Sequence, residues 1–379
     1  MSVAVLGSGV ITPFGRGSRA LVDGLCAGRC MLGEHGAAVD DALLDPSLLR
    51  EDRALALTAA ALDDLLEGPA GATLAGIDRA RLSVIVGSTQ GAITRWSRQR
   101  GELRAAPDTA EPSPPDSSAP LRLAAERLGA LGPCANPSMA CASGTAALAL
   151  GARWLLSRRC DAVVVGGVDA LSTFVRQGFV ALKALDPVTP RPFDAERAGL
   201  GLGEAAALLL MTREEAGVSP SARLLGWGLS GDANHLTGPD REGRGVTRAV
   251  RQALAQAGMA PSEIAFVCAH GTATSYNDRM EAIGLARALP GARPPLMSLK
   301  GAVGHSLAAA GAVEAAMTLE ALRRGVCPPT VGARRVDPEI DADVVLDAPR
   351  ALAAGAGLST SSGFGGINAA VILATDRNG

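Results

Sequence analysis

Aromatic residues are scarce in this 379-residue chain, 3% of the total, with Tyr276 as the lone tyrosine. That scarcity removes the stacking platforms on which single-stranded nucleic acid binds. Neither sign of charge is in excess. The 36 Lys+Arg against 38 Asp+Glu leave a formal net charge of −2, which offers no basic field to nucleic acid or anionic lipid. Long apolar runs are missing: no stretch reaches the roughly 18 uncharged apolar residues that mark a membrane-spanning helix. The N-terminal MSVAVLGSGVITPFG lacks a basic region followed by a long apolar stretch, and reads as a buried strand and a glycine turn. Its glycines do not match G-x-G-x-x-G, and no GxxxxGK[ST] occurs, so no nucleotide-binding signature is present. Only four histidines occur (His35, His235, His270, His305), and no CxxC pair, so no zinc-ligand cluster is expected. The seven cysteines are odd in number and scattered. They argue against a disulfide framework and for a reducing compartment, the cytoplasm.

What the chain does have is an ordinary globular core, with 47% apolar and 20% charged residues, and 46 glycines. The length suits one large or two medium domains. Short apolar runs at Ser2–Leu6, Leu82–Val86, Ala162–Val165, Ala205–Met211, Ile264–Cys268, Pro295–Ser298 and Ala369–Ala374 read as buried strands. Helical patterns lie between them at Ala54–Leu66, Ala119–Leu131, Thr145–Ser157, Thr247–Ala257, Met280–Leu289 and Ala308–Arg324. This alternation predicts an α/β protein with helices on both sheet faces. A Pro/Ser-rich stretch, Pro107–Pro120, reads as a surface loop, and a break at Val218–Ala222 separates a longer N-terminal from a shorter C-terminal half. The halves share a loose echo: strand, small-residue turn, Ala-rich helix, strand.

Four segments could carry chemistry. In NPSMACASG (Asn136–Gly144), Cys141 stands just before a helix. The amides and dipole of a helix start stabilise an anion, so a lowered thiol pKa is expected there. The alternative is a buried cysteine acting as a small hydrophobe. Cys134, Cys160 and Cys268 lack this setting and read as packing residues. In IAFVCAHGTATSYND (Ile264–Asp278), a strand ends at His270, where an imidazole can donate to a developing oxyanion or act as a base. Thr272 and Thr274 follow, with hydroxyls suited to an amide-bearing substrate arm; the bland alternative is a histidine closing a loop. In SLKGAVGHSLAAAGAVE (Ser298–Glu314), Lys300 and His305 can turn toward one pocket. A buried lysine needs a carboxylate, and Glu314, Glu281 or Asp278 can supply it. In SSGFGGIN (Ser361–Asn368), glycines around Phe364 suggest a backbone loop close to a ligand, whose N–H could complete an oxyanion hole. One cysteine at a helix start, two histidines and a lysine together suit thioester chemistry, with neither metal nor nucleotide required.

In this combination the chain resembles the elongating β-ketoacyl-acyl carrier protein synthases of the thiolase-like superfamily. The carrying motifs are ACASG around Cys141, HGTAT at His270–Thr274, KGAVGH at Lys300–His305, AAGAVE at Ala309–Glu314 and GFGG-x-N at Gly363–Asn368. Arg191–Leu210 and the N-terminal turn add lesser matches. The resemblance implies a thiolase-like five-layered α-β-α-β-α fold of two duplicated halves, divided here as 1–217 and 218–379. It implies a decarboxylative condensation in fatty acid or polyketide/polyene biosynthesis: Cys141 accepts an acyl group from a carrier protein or CoA, and malonyl-carrier protein loses CO2 and attacks it. By the same resemblance, His270 and His305 stabilise the enolate. Lys300 orients them, with Glu314 and the Asp278/Glu281 pair as charge partners. The N–H groups of Cys141 and Phe364 form the oxyanion hole, Phe364 gates the acyl pocket, and Thr272 and Thr274 bind phosphopantetheine. No cofactor beyond that carrier-borne arm is implied. The implied partners are an acyl carrier protein and a second subunit, in a homodimer or a heterodimer with a ketosynthase-like chain, with no nucleic acid or membrane.

The sequence also departs from the family. Where the family usually reads N-S-F before GFGG, this sequence has Thr360, Ser361 and Ser362, so only the middle serine is kept, and Ile367 replaces a threonine. Shortening in the first 130 or so residues removes part of what shapes the acyl pocket. Altered gating or a specialised polyketide or polyene substrate is the expectation. Two competing readings are a partner subunit that sets chain length, which generally lacks the nucleophile, and an acyltransferase or decarboxylase that never condenses. A thiolase is disfavoured, because the last cysteine is Cys327, well before the C-terminal glycine loop.

Overall fold

A computed structural model describes residues 2–105, 116–186, 189–214, 220 and 222–376. Residues 107–115 of the expected Pro/Ser loop lie outside the described residues, as do positions 218, 219 and 221 of the expected break. The predicted strands form at Val3–Thr12, Leu82–Gly87, Ala162–Asp169, Ala205–Arg213, Ile264–Cys268, Pro295–Met297 and Ile367–Thr375. Two long strands were not foreseen. Ala222–Gly231 carries glycines because a helix lies directly on it: a Cβ on Gly226 or Gly228 would sit 2.2 or 2.0 Å from the carbonyl oxygens of Ala253 or Ala249. Ala356–Gly363 (AGLSTSSG) looks too polar for a buried strand, yet three of its hydroxyls are spent internally, Thr360 on Glu281, Ser361 on Thr145 and Ser362 on Asn368.

The strand order explains the echo between halves. In the N-terminal half Val3–Thr12 pairs antiparallel with Ala205–Arg213, which pairs antiparallel with Ala162–Asp169; Leu82–Gly87 and then Cys134–Ala135 follow in parallel. In the C-terminal half Ala222–Gly231 pairs antiparallel with Ile367–Thr375, then antiparallel with Ala356–Gly363, and Ile264–Cys268 and Pro295–Met297 follow in parallel. The pairing sequence is identical, which is the signature of a duplicated unit. The units join where Val3 pairs Leu224 and Ala4 pairs Arg223.

Helices complete five layers. Arg53–Glu67 and Ala119–Leu128 pack outside the N-terminal half, and Arg244–Ala257 and Ser275–Ala288 outside the C-terminal half. Between the halves lie Ser143–Leu156 and Ala310–Arg324, whose apolar residues share one core cluster with both. Every residue from Ala310 to Leu322 is buried, as a helix enclosed on all sides requires. The two central helices touch backbone to backbone. A Cβ on Gly144 would lie 2.7 Å from the Ala308 carbonyl oxygen, and one on Gly311 would lie 2.0 Å from Thr145 Oγ1. This crossing brings the segment before one helix start, with Cys141, next to the segment before the other, with His305.

Candidate active site

Cys141 sits on a tight turn ahead of the Ser143–Leu156 helix. Ala140 takes a left-handed backbone (φ 48°), disfavoured for a residue with a Cβ. The turn holds it there: the Ala142 and Ser143 N–H groups donate to the carbonyls of Met139 and Ala140, and Ser143 Oγ accepts from Met139 N–H at 2.8 Å while donating to the Ala140 carbonyl at 2.6 Å. These bonds leave the Cys141 N–H out of the turn's own network. Gly363 passes over the same turn, so closely that a Cβ would lie 3.1 Å from the Cys141 nitrogen. The helix start does not produce a resting thiolate. Burial pushes the Cys141 thiol up to about 12, against the opposing pull of the Lys300 ammonium. The expected lowering is therefore outweighed by desolvation.

The two imidazoles lie edge to face, ring centroids 5.1 Å apart. His270 follows the Ile264–Cys268 strand. His305 follows a short helix, Lys300–Val303, that Gly304 closes with a φ of 70°. His305 is fastened to the segment Gly201–Gly203, donating its N–H to the Gly201 carbonyl at 2.7 Å and accepting from Gly203 N–H at 3.1 Å. Lys300, 2% exposed, forms an ion pair with the fully buried Glu314, and its Nζ stands 3.4 Å from His270 Nδ1. An ammonium has no acceptor, so His270 Nδ1 must accept and the ring proton must sit on Nε2. Burial, reinforced by the Lys300 charge, holds both imidazoles well below their usual pKa. They are neutral at physiological pH.

Of the three carboxylates expected around Lys300, one pairs with it. Glu281 instead accepts the His270 and Gly271 N–H groups, each at 2.8 Å, and the Thr360 hydroxyl at 2.6 Å. Asp278 accepts Thr272 N–H at 3.0 Å and Phe193 N–H at 2.8 Å, and burial pushes its carboxyl up to about 6. Neither is in ion-pair contact with Lys300, although its charge still acts on Glu281; their hydrogen bonds go mainly to backbone, and both residues fix the loop that carries His270. The sequence spacing could not separate these uses, since all three side chains are acidic and buried.

One cavity of about 470 Å³ receives Cys141, His270, His305, Thr272, Thr274 and Phe364 together. The Thr272 and Thr274 hydroxyls are 2.9 Å apart on its wall. Phe364 is 40% exposed and leans on Phe179 with centroids 5.8 Å apart. Beside the sulfur, Cys141 packs with Phe179, Leu200, Leu202 and Leu307 in an apolar cluster. These four carried no individual signal, since an apolar residue near a site reads like any core residue; Leu200 and Leu202 do fall in the lesser-matching Arg191–Leu210 segment. Ser362 also lines the cavity and donates to Asn368 Oδ1 at 2.8 Å. Cys160 and Cys268 are buried as expected, but Cys134 is exposed, because its two-residue strand ends the sheet. Among the described residues no group of three or more His, Cys, Asp or Glu is placed to hold a metal, and no helix is long and apolar enough to cross a membrane.

Duplicated sheets enclosing two central helices, with a cysteine and two neutral imidazoles facing one cavity, define a thiolase-like condensing enzyme. The Beta-ketoacyl synthase, N-terminal domain model matches residues 45–216, and the Beta-ketoacyl synthase, C-terminal domain model matches residues 221–334. The 3-oxoacyl-[acyl-carrier-protein] synthase 2 of Mycobacterium tuberculosis is 35% identical, covering 78% of this chain and 75% of that one. A Streptomyces cyaneus protein, named for a polyketide beta-ketoacyl synthase, is 35% identical over 98% of this chain and 97% of its own. Among solved structures, a ketosynthase in complex with its chain length factor from Xenorhabdus doucetiae matches with a TM-score of 0.88 and 30% identity, over 99% of this chain and 98% of that one. The chain belongs to the β-ketoacyl synthase family, and its activity is carbon–carbon bond formation by condensation.

Proposed function

We propose that the cavity performs a ping-pong condensation on thioesters borne by an acyl carrier protein, with the roles divided as follows. Cys141 attacks an acyl thioester and displaces the carrier thiol. The proton leaving Cys141 ends on that departing thiol, so the exchange needs no net base, in keeping with a thiol neutral at rest. The N–H groups of Cys141 and Phe364 take the oxyanion of this step. Malonyl-carrier protein then enters past Thr272 and Thr274, whose hydroxyls hydrogen-bond the amides of its phosphopantetheine arm. The malonyl C–C bond breaks, CO2 leaves, and the electron pair becomes an enolate whose oxygen accepts from His270 and His305. The enolate carbon attacks the acyl carbon, the Cys141 sulfur departs, and one proton from solvent restores the thiol.

The observation that carries this reading is the pair of neutral imidazoles facing the Cys141 cavity, one with its proton fixed on Nε2 by Lys300. A neutral donor suits an oxygen that gains charge only during reaction, and losing one such donor typically costs on the order of 10²–10³ in rate. Nothing in the cycle calls for a metal or a resident cofactor. The retained cysteine favours condensation over a purely chain-length-setting role. The apolar cluster beside the sulfur suits an acyl chain, each buried CH2 contributing about 0.8 kcal/mol. The partners we assign are an acyl carrier protein and a second subunit, either a copy of this chain or a chain length factor like that of the Xenorhabdus doucetiae complex. Seven free thiols support a cytoplasmic site of action. Intact-protein mass spectrometry after incubation with a panel of acyl-carrier and acyl-CoA thioesters tests the reading: an acyl adduct on Cys141 is expected, and its absence across the panel would contradict it.

A further inference from the structure

Asp169 ends the Ala162–Asp169 strand in the N-terminal half, is 1% exposed, and touches no part of the cavity described above. Its carboxylate nevertheless gathers bonds from both halves of the molecule. From the loop after Leu82–Gly87 it accepts Ser88 Oγ at 2.8 Å, Thr89 N–H at 3.1 Å, Thr89 Oγ1 at 2.5 Å and Gln90 N–H at 3.1 Å. From the C-terminal half it accepts a single donor, the Ala308 N–H, at 2.9 Å. Ala308 stands three residues after His305. Between them Leu307 is held in the left-handed region (φ 50°), which a branched side chain avoids unless its surroundings enforce it. Those surroundings are visible. The Ala308 carbonyl oxygen rests against two glycines, where a Cβ on Gly144 or Gly167 would come within 2.7 or 2.5 Å of it. Gly144 follows Cys141 by three positions, and Gly167 precedes Asp169 by two. The peptide after His305 is thus seated on the cysteine-bearing half at its carbonyl and bonded to that half at its N–H.

We propose that Asp169 is a positioning residue for the condensation: by holding the Ala308 N–H across the junction of the halves, it sets the His305 imidazole relative to Cys141. This rests on the role assigned to His305 above. The bond polarity makes the idea specific. Thr89 and Ser88 hydroxyls can turn to accept, but the Thr89, Gln90 and Ala308 N–H groups cannot. Thr89 and Gln90 N–H share Oδ1 while Ala308 N–H takes Oδ2, so an asparagine that keeps its oxygen on the two amides sets its NH2 against Ala308. Releasing Ala308 lets the strained Leu307 relax and swings His305 away, while the Cys141 turn keeps its own hydrogen bonds.

The test compares two rates in the full-length enzyme: acylation of Cys141 by an acyl-carrier thioester, and CO2 release from malonyl-carrier protein. For Asp169→Asn, CO2 release should fall more than about tenfold relative to acylation, because a misplacement near 1 Å at a reacting group can cost about 10²-fold. Ser88→Ala, which removes another bond to the same carboxylate without touching Ala308, should leave the ratio of the two rates unchanged. Gly167→Ala, which pushes on the Ala308 carbonyl from the other side, should lower the ratio as Asp169→Asn does, and it decides the question by itself if the asparagine variant does not fold. Equal loss of both rates in step with thermal stability would reduce Asp169 to a brace and overturn the proposal, as would an unchanged ratio in a folded Asp169→Asn. His305→Ala is the control. Persistent CO2 release in that variant would overturn the role of His305 and this inference with it, whereas loss there with retention in Asp169→Asn would overturn this inference alone.

Discussion

Lys300 Nζ stands 3.4 Å from His270 Nδ1 and is paired on its other side with Glu314, all three groups being buried. The lysine therefore fixes which nitrogen of His270 carries the proton, and the glutamate holds the lysine in an ion pair. Lys300→Met should free the imidazole to adopt the wrong tautomer. CO2 release from malonyl-carrier protein should then fall by about 10²-fold, the cost of one lost donor, while Cys141 still acylates. Parallel rate assays check the split.

Removing the other partner has a different signature. Glu314→Gln leaves an uncompensated buried ammonium, which costs about 3–5 kcal/mol when one member of a buried pair is deleted. A large fall in unfolding midpoint is expected, read by thermal denaturation. Removing the ammonium as well, in Lys300→Met/Glu314→Gln, should recover most of that stability.

The histidines add a pH dependence to folding. Burial holds both well below the ordinary value of 6.5, so below that pH the unfolded chain binds protons that the folded chain refuses. Their contribution is present above about pH 6.5 and is lost as pH falls toward the depressed folded values. Asp278, pushed up to about 6 by burial, acts in the opposite sense, so the histidine part is read as a difference: from pH 7 to pH 5 wild type should lose stability relative to His305→Gln. Unfolding midpoints measured across that range decide it.

The thiol gives a second profile. With Cys141 pushed up to about 12, iodoacetamide should alkylate it slowly near pH 7 and faster by about tenfold per pH unit up to about pH 11. A rate already level at pH 7 to 8 would mean a resting thiolate.

The contact between central helices is the least tolerant place in the fold. Gly311→Ala would drive a Cβ to within 2.0 Å of Thr145 Oγ1, and overpacking of this kind costs about 1–3 kcal/mol. Thermal denaturation should show that loss, and acylation of Cys141 should weaken with it, because this crossing carries the nucleophile turn.

How much of this was legible in the chain depended on the kind of signal. Uninterrupted apolar strands such as Ile264–Cys268 were readable because burial on both faces leaves a continuous run. Ala222–Gly231 and Ala356–Gly363 were not, since glycines set by a helix contact and hydroxyls spent on internal partners resemble loop composition. His270, Lys300 and His305 could be picked out because each breaks its local pattern beside glycine, and Cys141 because it stands among small residues just before a helix start. What spacing could not show was the division among carboxylates, one on Lys300 and two on backbone amides. Nor could it weigh a helix start against desolvation at Cys141, a balance that depends on atoms from Gly363 and Leu307 brought in by the fold.

The central claim is that Cys141 carries the acyl group while the two imidazoles drive decarboxylation. The most direct measurement loads the enzyme from an acyl-carrier thioester, adds malonyl-carrier protein, and follows β-ketoacyl product and CO2 together in wild type, Cys141→Ala, His270→Ala and His305→Ala. Wild type should give both in equal amounts, Cys141→Ala should give no condensed product, and each histidine variant should lose CO2 release and product alike. Condensed product from Cys141→Ala, or undiminished CO2 release from either histidine variant, would contradict the account.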